Sequence, residues 1–70
     1  MQKRSLTIAG HSTSIALEPE FWAALEALAH TRGLRLSTLI EEIDRGRDGP
    51  NLSSALRVAA LRGAQSPSQP

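Results

Sequence analysis

The stretch Ser12-Thr13-Ser14-Ile15-Ala16-Leu17-Glu18-Pro19-Glu20-Phe21-Trp22, continued by AALEALAHTRGL (residues 23–34) and RLSTLIEEI (residues 35–43), decides the fold. Its first six residues alternate, with Thr13, Ile15 and Leu17 against Ser12, Ser14 and Ala16, which is the period of a half-buried strand. Pro19 then suits the first turn of a helix, where a missing N–H costs nothing, and Glu18 and Glu20 sit at the positive end of its dipole. Phe21, Trp22, Leu25, Leu28 and Ala29 recur at helical spacing as one apolar stripe. Gly33 ends that helix in a left-handed conformation. A second helix carries Leu36, Leu39, Ile40 and Ile43 on one face and stops in the breaker Arg45-Gly-Arg-Asp-Gly-Pro50.

Outward from this unit the signals are weaker. Residues 3 to 9 also alternate, with Leu6 and Ile8 apolar and Ser5 and Thr7 polar, but on the opposite parity, and the change falls at Gly10. A parity change at glycine means a bulge or a turn, so the N-terminal segment is either one kinked strand or a small hairpin, with residues 12 to 17 the principal strand. Downstream, Asn51 can cap a third helix starting near Leu52. Its inner stripe is Leu52, Ala55, Leu56 and Ala59, while Val58 and Leu61 lie off the stripe and could face another subunit. Residues 1–63 therefore read as one domain, and the polar, proline-rich residues 64–70 as a disordered tail.

At 70 residues the chain is a single domain of a size that buries little surface. It has no cysteine, so disulfides and thiolate metal sites are excluded. A lone strand and two short helices cannot close a core. The unit reads as half of a structure that a second copy completes, the two strands pairing as an antiparallel ribbon. Ile15, Leu17, Phe21, Trp22, Leu25, Leu39 and Ile40 are the expected dimer core. The fold expected is mainly α with a short β-ribbon: an intertwined homodimer with an added C-terminal helix.

The order strand, helix, glycine, helix over residues 12 to 43, with the Gly33-to-Ile40 segment its most specific part, resembles the ribbon-helix-helix family of DNA-binding proteins, the Arc and MetJ type. Within it the chain is similar to a bacterial subgroup of small proteins with a longer N-terminus. The resemblance implies a two-stranded ribbon that enters the major groove of double-stranded DNA. Carried over, it places Ser12, Ser14 and Ala16 toward the groove, and Arg35, Ser37 and Thr38, at the start of the second helix, where a DNA phosphate is held. Free backbone N–H groups and the helix dipole favour an anion there. Lys3 and Arg4 are further candidates for phosphate contact.

Charge supports this through its distribution. Eight Lys+Arg against seven Asp+Glu leave a net charge of only +1, but the first sixteen residues hold Lys3, Arg4 and His11 and no acid. The expected function is a homodimeric transcriptional regulator of the cytoplasm, with no cofactor, no metal and no membrane partner. The alternative keeps the fold as a protein-interaction module, antitoxin-like or adaptor. Family members often carry Arg, Lys, Gln or Asn on the outward ribbon, where this chain offers two serines and an alanine, and the second helix is acidic at Glu41, Glu42 and Asp44. His11 and His30 lack companion ligands, which leaves metal sensing little support. No nucleophile, acid–base pair or phosphate-binding glycine loop points to catalysis.

Overall fold

A computed structural model describes residues 1–46, 49 and 51–65, without the side chains of residues 64 and 65. The elements are β1 (Gln2–Ile8), β2 (His11–Leu17), α1 (Pro19–Thr31), α2 (Leu36–Gly46) and α3 (Leu52–Gln65). The two strands form one antiparallel sheet in unbroken register from Gln2↔Leu17 to Ile8↔His11. The parity change at Gly10 is therefore a hairpin, and both strands of the ribbon belong to the same chain. The turn is Ala9-Gly10, with φ of 51° and 85°. Positive φ at both central positions is what a type I′ turn requires, and its twist matches that of the strands it joins. Glycine adopts such a φ freely, whereas alanine is strained there. The Ala9 N–H donates to the Glu41 carboxylate of α2 at 2.9 Å, which pins the strained residue.

A two-residue turn pairs an even-numbered residue with an odd one. Arg4, Leu6 and Ile8 on β1 thus share a face with Thr13, Ile15 and Leu17 on β2, and this face lies on the helices. The opposite face carries Lys3, Ser5 and Thr7 against Ala16, Ser14 and Ser12. An uninterrupted strand would have put Ile8 and Ile15 on opposite sides.

The helices begin and end as their residues direct. Glu18 is the N-cap of α1: its carbonyl accepts the N–H of Phe21 and of Trp22, while Pro19 fills the first turn. Gly33, at φ 69°, closes α1 in a Schellman arrangement, with Leu34 N–H donating to the Ala29 carbonyl at 2.8 Å and Gly33 N–H to that of His30. Asn51 caps α3, its side-chain oxygen accepting the Ser54 N–H at 3.0 Å and its carbonyl the Ala55 N–H. α3 runs to Gln65, so it takes in the first two residues that read as tail; residues 66–70 lie outside the described residues, as do residues 47, 48 and 50 of the breaker.

Leu17, Trp22, Leu25, Leu39, Ile40 and Leu56 are fully buried, joined by Ile8, Ile15, Ala29 and Ala60. Of the seven residues expected to form a dimer core, six are buried within one chain and Phe21 packs half-buried against them. The expectation that a second copy must cover them counted neither β1 nor α3. β1 supplies Ile8 and Leu6, and α3 supplies Leu56 and Ala60. Each large apolar side chain buried this way is worth about 1.5–3 kcal/mol to the single chain. The inner stripe of α3 is turned slightly from the sequence reading. It is centred on Leu56 and Ala60 with Leu52 beside them, while Val58 and Leu61 are exposed as expected.

Candidate nucleic-acid interface

The outward ribbon face is built by strand alternation alone. Ser12 and Ser14 are exposed and Ala16 half-buried, as the parity of β2 dictates. β1 adds Lys3, Ser5 and Thr7, all exposed, as their cross-strand neighbours. The central pair is close enough for weak contact, with Ser5 Oγ and Ser14 Oγ 3.4 Å apart. No acid stands on this face, and Lys3 is its one charge among the described residues. In a hairpin closed by a two-residue turn the pair next to the turn is hydrogen-bonded, and such pairs alternate along the ladder. The same outward residues therefore direct their backbone N–H and C=O groups to the two ribbon edges. Side-chain hydroxyls and main-chain donors lie together, the mix that meets base edges and phosphates.

Arg4 is not part of this face. It pairs with Ile15 and turns toward α1, where its guanidinium donates to Glu26 at 2.6 Å and lies 4.7 Å from the centre of the Trp22 ring. The Arg4 side chain is 31% exposed, so phosphate contact would cost it two internal partners. Trp22 ties the same corner from the other side, its indole N–H donating to the Gln2 carbonyl at 2.8 Å. Lys3 and Arg4, both candidates for phosphate contact, thus lie on opposite faces of β1, as adjacent strand residues do.

At the other candidate position, the Arg35 carbonyl accepts the Leu39 N–H at 3.0 Å, which makes Arg35 the N-cap of α2. Arg35 and Thr38 are exposed and Ser37 is half-buried. The hydrogen bond from Ala9 to Glu41 sets the second turn of α2 against the hairpin tip. Arg35 lies six residues earlier, or about 9 Å along the helix axis. The tip of the ribbon and the start of α2 thus belong to one end of the molecule.

The remaining charges are largely committed internally. Arg32 pairs with Glu42 at 2.7 Å. Arg57 of α3 donates to both oxygens of Glu18, at 3.0 and 3.4 Å, with its guanidinium 5.9 Å from the Phe21 ring centre. A hydrogen bond from its own backbone and the Arg57 guanidinium hold the Glu18 carboxyl below its ordinary value. The acidic cluster of α2 is likewise engaged, Glu41 with the hairpin tip and Glu42 with Arg32. Among the described residues no cluster of His, Asp or Glu could hold a metal, and no helix is long and apolar enough to cross a membrane.

Sequence reading missed Lys3, Ser5 and Thr7 as one face. The signal was the parity change at Gly10, which, taken as a two-residue turn, aligns those residues with Ser12, Ser14 and Ala16.

Residues 1–64 match the family described as Ribbon-helix-helix domain, and the chain belongs to that family. Ribbon-helix-helix proteins are in general non-enzymatic, and they typically form dimers that bind DNA. Among solved structures the chain is similar to an uncharacterized protein from Bordetella pertussis Tohama I, at 38% identity and a TM-score of 0.77. The match covers 97% of this chain and 58% of that one, so the present chain spans little more than half of the longer relative. No protein of curated function matches it significantly.

Proposed function

We propose that the chain is a DNA-binding transcriptional regulator of the cytoplasm that lays the outward face of its β-ribbon in the major groove. The acid-free outward face carries this reading: Lys3 at one end and hydroxyls at Ser5, Thr7, Ser12 and Ser14, above a core that holds the ribbon flat-side out. Lys3 and the start of α2, with Arg35, Ser37 and Thr38, bind phosphates and set the register. The hydroxyls and the Ala16 methyl meet base edges. Serine and threonine both donate and accept, so base discrimination is modest, and DNA shape supplies the remainder.

A salt series of binding to a duplex, followed by fluorescence anisotropy, tests this. Affinity should fall linearly on a log–log plot with a slope set by the phosphates neutralised. Arg35→Ala should flatten the slope by about one and weaken all sequences alike. A folded chain that shows no duplex binding at low salt would refute the proposal.

The second reading, a protein-interaction module, draws on one observation. Three of the eight cations, Arg4, Arg32 and Arg57, are tied up in internal ion pairs, which reduces what the chain can offer to phosphates. Salt-insensitive capture of a protein by a chain that ignores DNA would favour it.

A further inference from the structure

We infer that Glu41 is a positioning residue for DNA binding: through the Ala9 N–H it fixes the hairpin tip, and with it the aim of Thr7 and Ser12 into the groove. The inference rests on the DNA reading above and adds the residue that orients the reading face. The last outward pair before the turn is Thr7–Ser12. Just beyond it Ile8 is buried, while Ala9, Gly10 and His11 are exposed and a Cβ on Gly10 would meet nothing within 4 Å. Two-stranded ribbons twist more than wider sheets, so the direction of the Thr7 and Ser12 side chains depends on what holds the tip. In a two-residue turn the flanking residues, here Ile8 and His11, exchange the ladder bonds, which leaves the N–H of the first turn residue without a partner in the hairpin. That N–H belongs to Ala9, and the Glu41 carboxylate accepts it at 2.9 Å.

The charge of Glu41 makes its place informative. Ser37 and Thr38 stand four and three residues before it, one turn away on the same side of α2. A carboxylate there repels the phosphate that those residues would hold, so by charge alone its removal should tighten binding to a polyanion. The hydrogen bond predicts the opposite, because a freed tip lets Thr7 and Ser12 swing away from the base edges. The two effects of one substitution differ in sign. At the far end of the ribbon the Lys3–Ala16 pair is held independently, by the Trp22 indole N–H on the Gln2 carbonyl, and should not respond.

The test uses the full chain and a duplex that it selects from a random pool, with affinity followed by fluorescence anisotropy at low salt and folding checked by thermal melting. Glu41→Ala should weaken binding by roughly 3–10-fold, the scale of one lost hydrogen bond. Glu41→Gln, which keeps an acceptor oxygen and drops the charge, should bind at least as tightly as wild type. In the Glu41→Ala background Ser12→Ala should cost little more, whereas Lys3→Ala should cost its full amount. Should Glu41→Ala fail to fold, Glu41→Asp, one methylene shorter, takes its place under the same criteria. A folded Glu41→Ala chain that binds as well as wild type or better would overturn the inference while leaving DNA binding intact. So would an equal loss in Glu41→Gln, which would place the effect in the charge, or full additivity with Ser12→Ala. A folded wild-type chain that fails to retain any duplex at low salt would overturn it together with the DNA reading.

Discussion

The two faces of the ribbon share a backbone and differ in everything that follows from side-chain parity. The inner face, with Leu6, Ile8, Ile15 and Leu17, is packed against the apolar residues of the helices. The outer face, with Lys3, Ser5, Thr7, Ser12 and Ser14, adds little to stability because its residues touch mainly solvent and one another. The contrast between Lys3 and Arg4 makes the point. They are neighbours in sequence with similar charge, yet one is exposed and the other sits between Glu26 and Trp22. Charge counts over a strand terminus are therefore a poor guide to a binding surface unless split by face.

The largest test of that contrast is to hollow the inner face. Leu17→Ala or Trp22→Ala should lower stability by about 2–5 kcal/mol in urea unfolding, because each leaves a cavity among residues that cannot fully collapse. A loss below about 1 kcal/mol at either position would mean that the inner face is not the core. Next in size is the charge pair. Arg4→Ala should cost about 0.5–1.5 kcal/mol through the loss of the Glu26 ion pair and the Trp22 stacking, with the salt slope of DNA binding unchanged. Lys3→Ala should do the reverse: stability within about 0.5 kcal/mol of wild type and a slope flatter by about one. If the two effects were exchanged, the faces would be reversed.

The hairpin tip sharpens the comparison from another side. Ala9→Gly removes the strain of a left-handed alanine, and should raise stability by about 0.5–1 kcal/mol without altering DNA preference. A destabilised Ala9→Gly chain would show that the turn is not strained as its φ implies. Smaller still is Ser14→Ala, expected to shift stability by less than about 0.5 kcal/mol while weakening duplex binding several-fold. The smallest effect concerns pH. The Glu18 carboxyl is held below its ordinary value in the folded chain by its own backbone and by Arg57. Its contribution is then fully present above the unfolded-state value and lost as pH falls through the lower folded value. Glu18→Gln should remove that part of the acid-side decline and leave the neutral side of the profile unchanged in shape, as read from urea midpoints across pH.

Much of this was legible in the chain because the signals were local. The Thr13-Ile15-Leu17 alternation, Pro19, Gly33 and Asn51 each act within a few residues, and each sits in the structure where its chemistry directs. The closure of the core was not legible. Whether Leu6 and Ile8 fold back on Ile15 or extend away depends on how Ala9-Gly10 turns, and a turn with alanine at positive φ is not what that dipeptide announces. The fate of Arg4 was equally hidden, since its partners Glu26 and Trp22 come from a helix many residues later. The wide inner stripe of α3 gave no hint that Ala60, rather than Ala59, is the better buried.

The hairpin also governs how the ribbon comes into being. Strands joined by two residues meet at a rate set by closure of a very short loop, and hairpins of this kind form in roughly 1–10 μs. A ribbon assembled from two molecules would form by collision, more slowly as the protein is diluted. Here ribbon formation is first order. Its refolding phase should keep the same time constant across dilution, and the first seventeen residues can pair before the helices beneath them are complete.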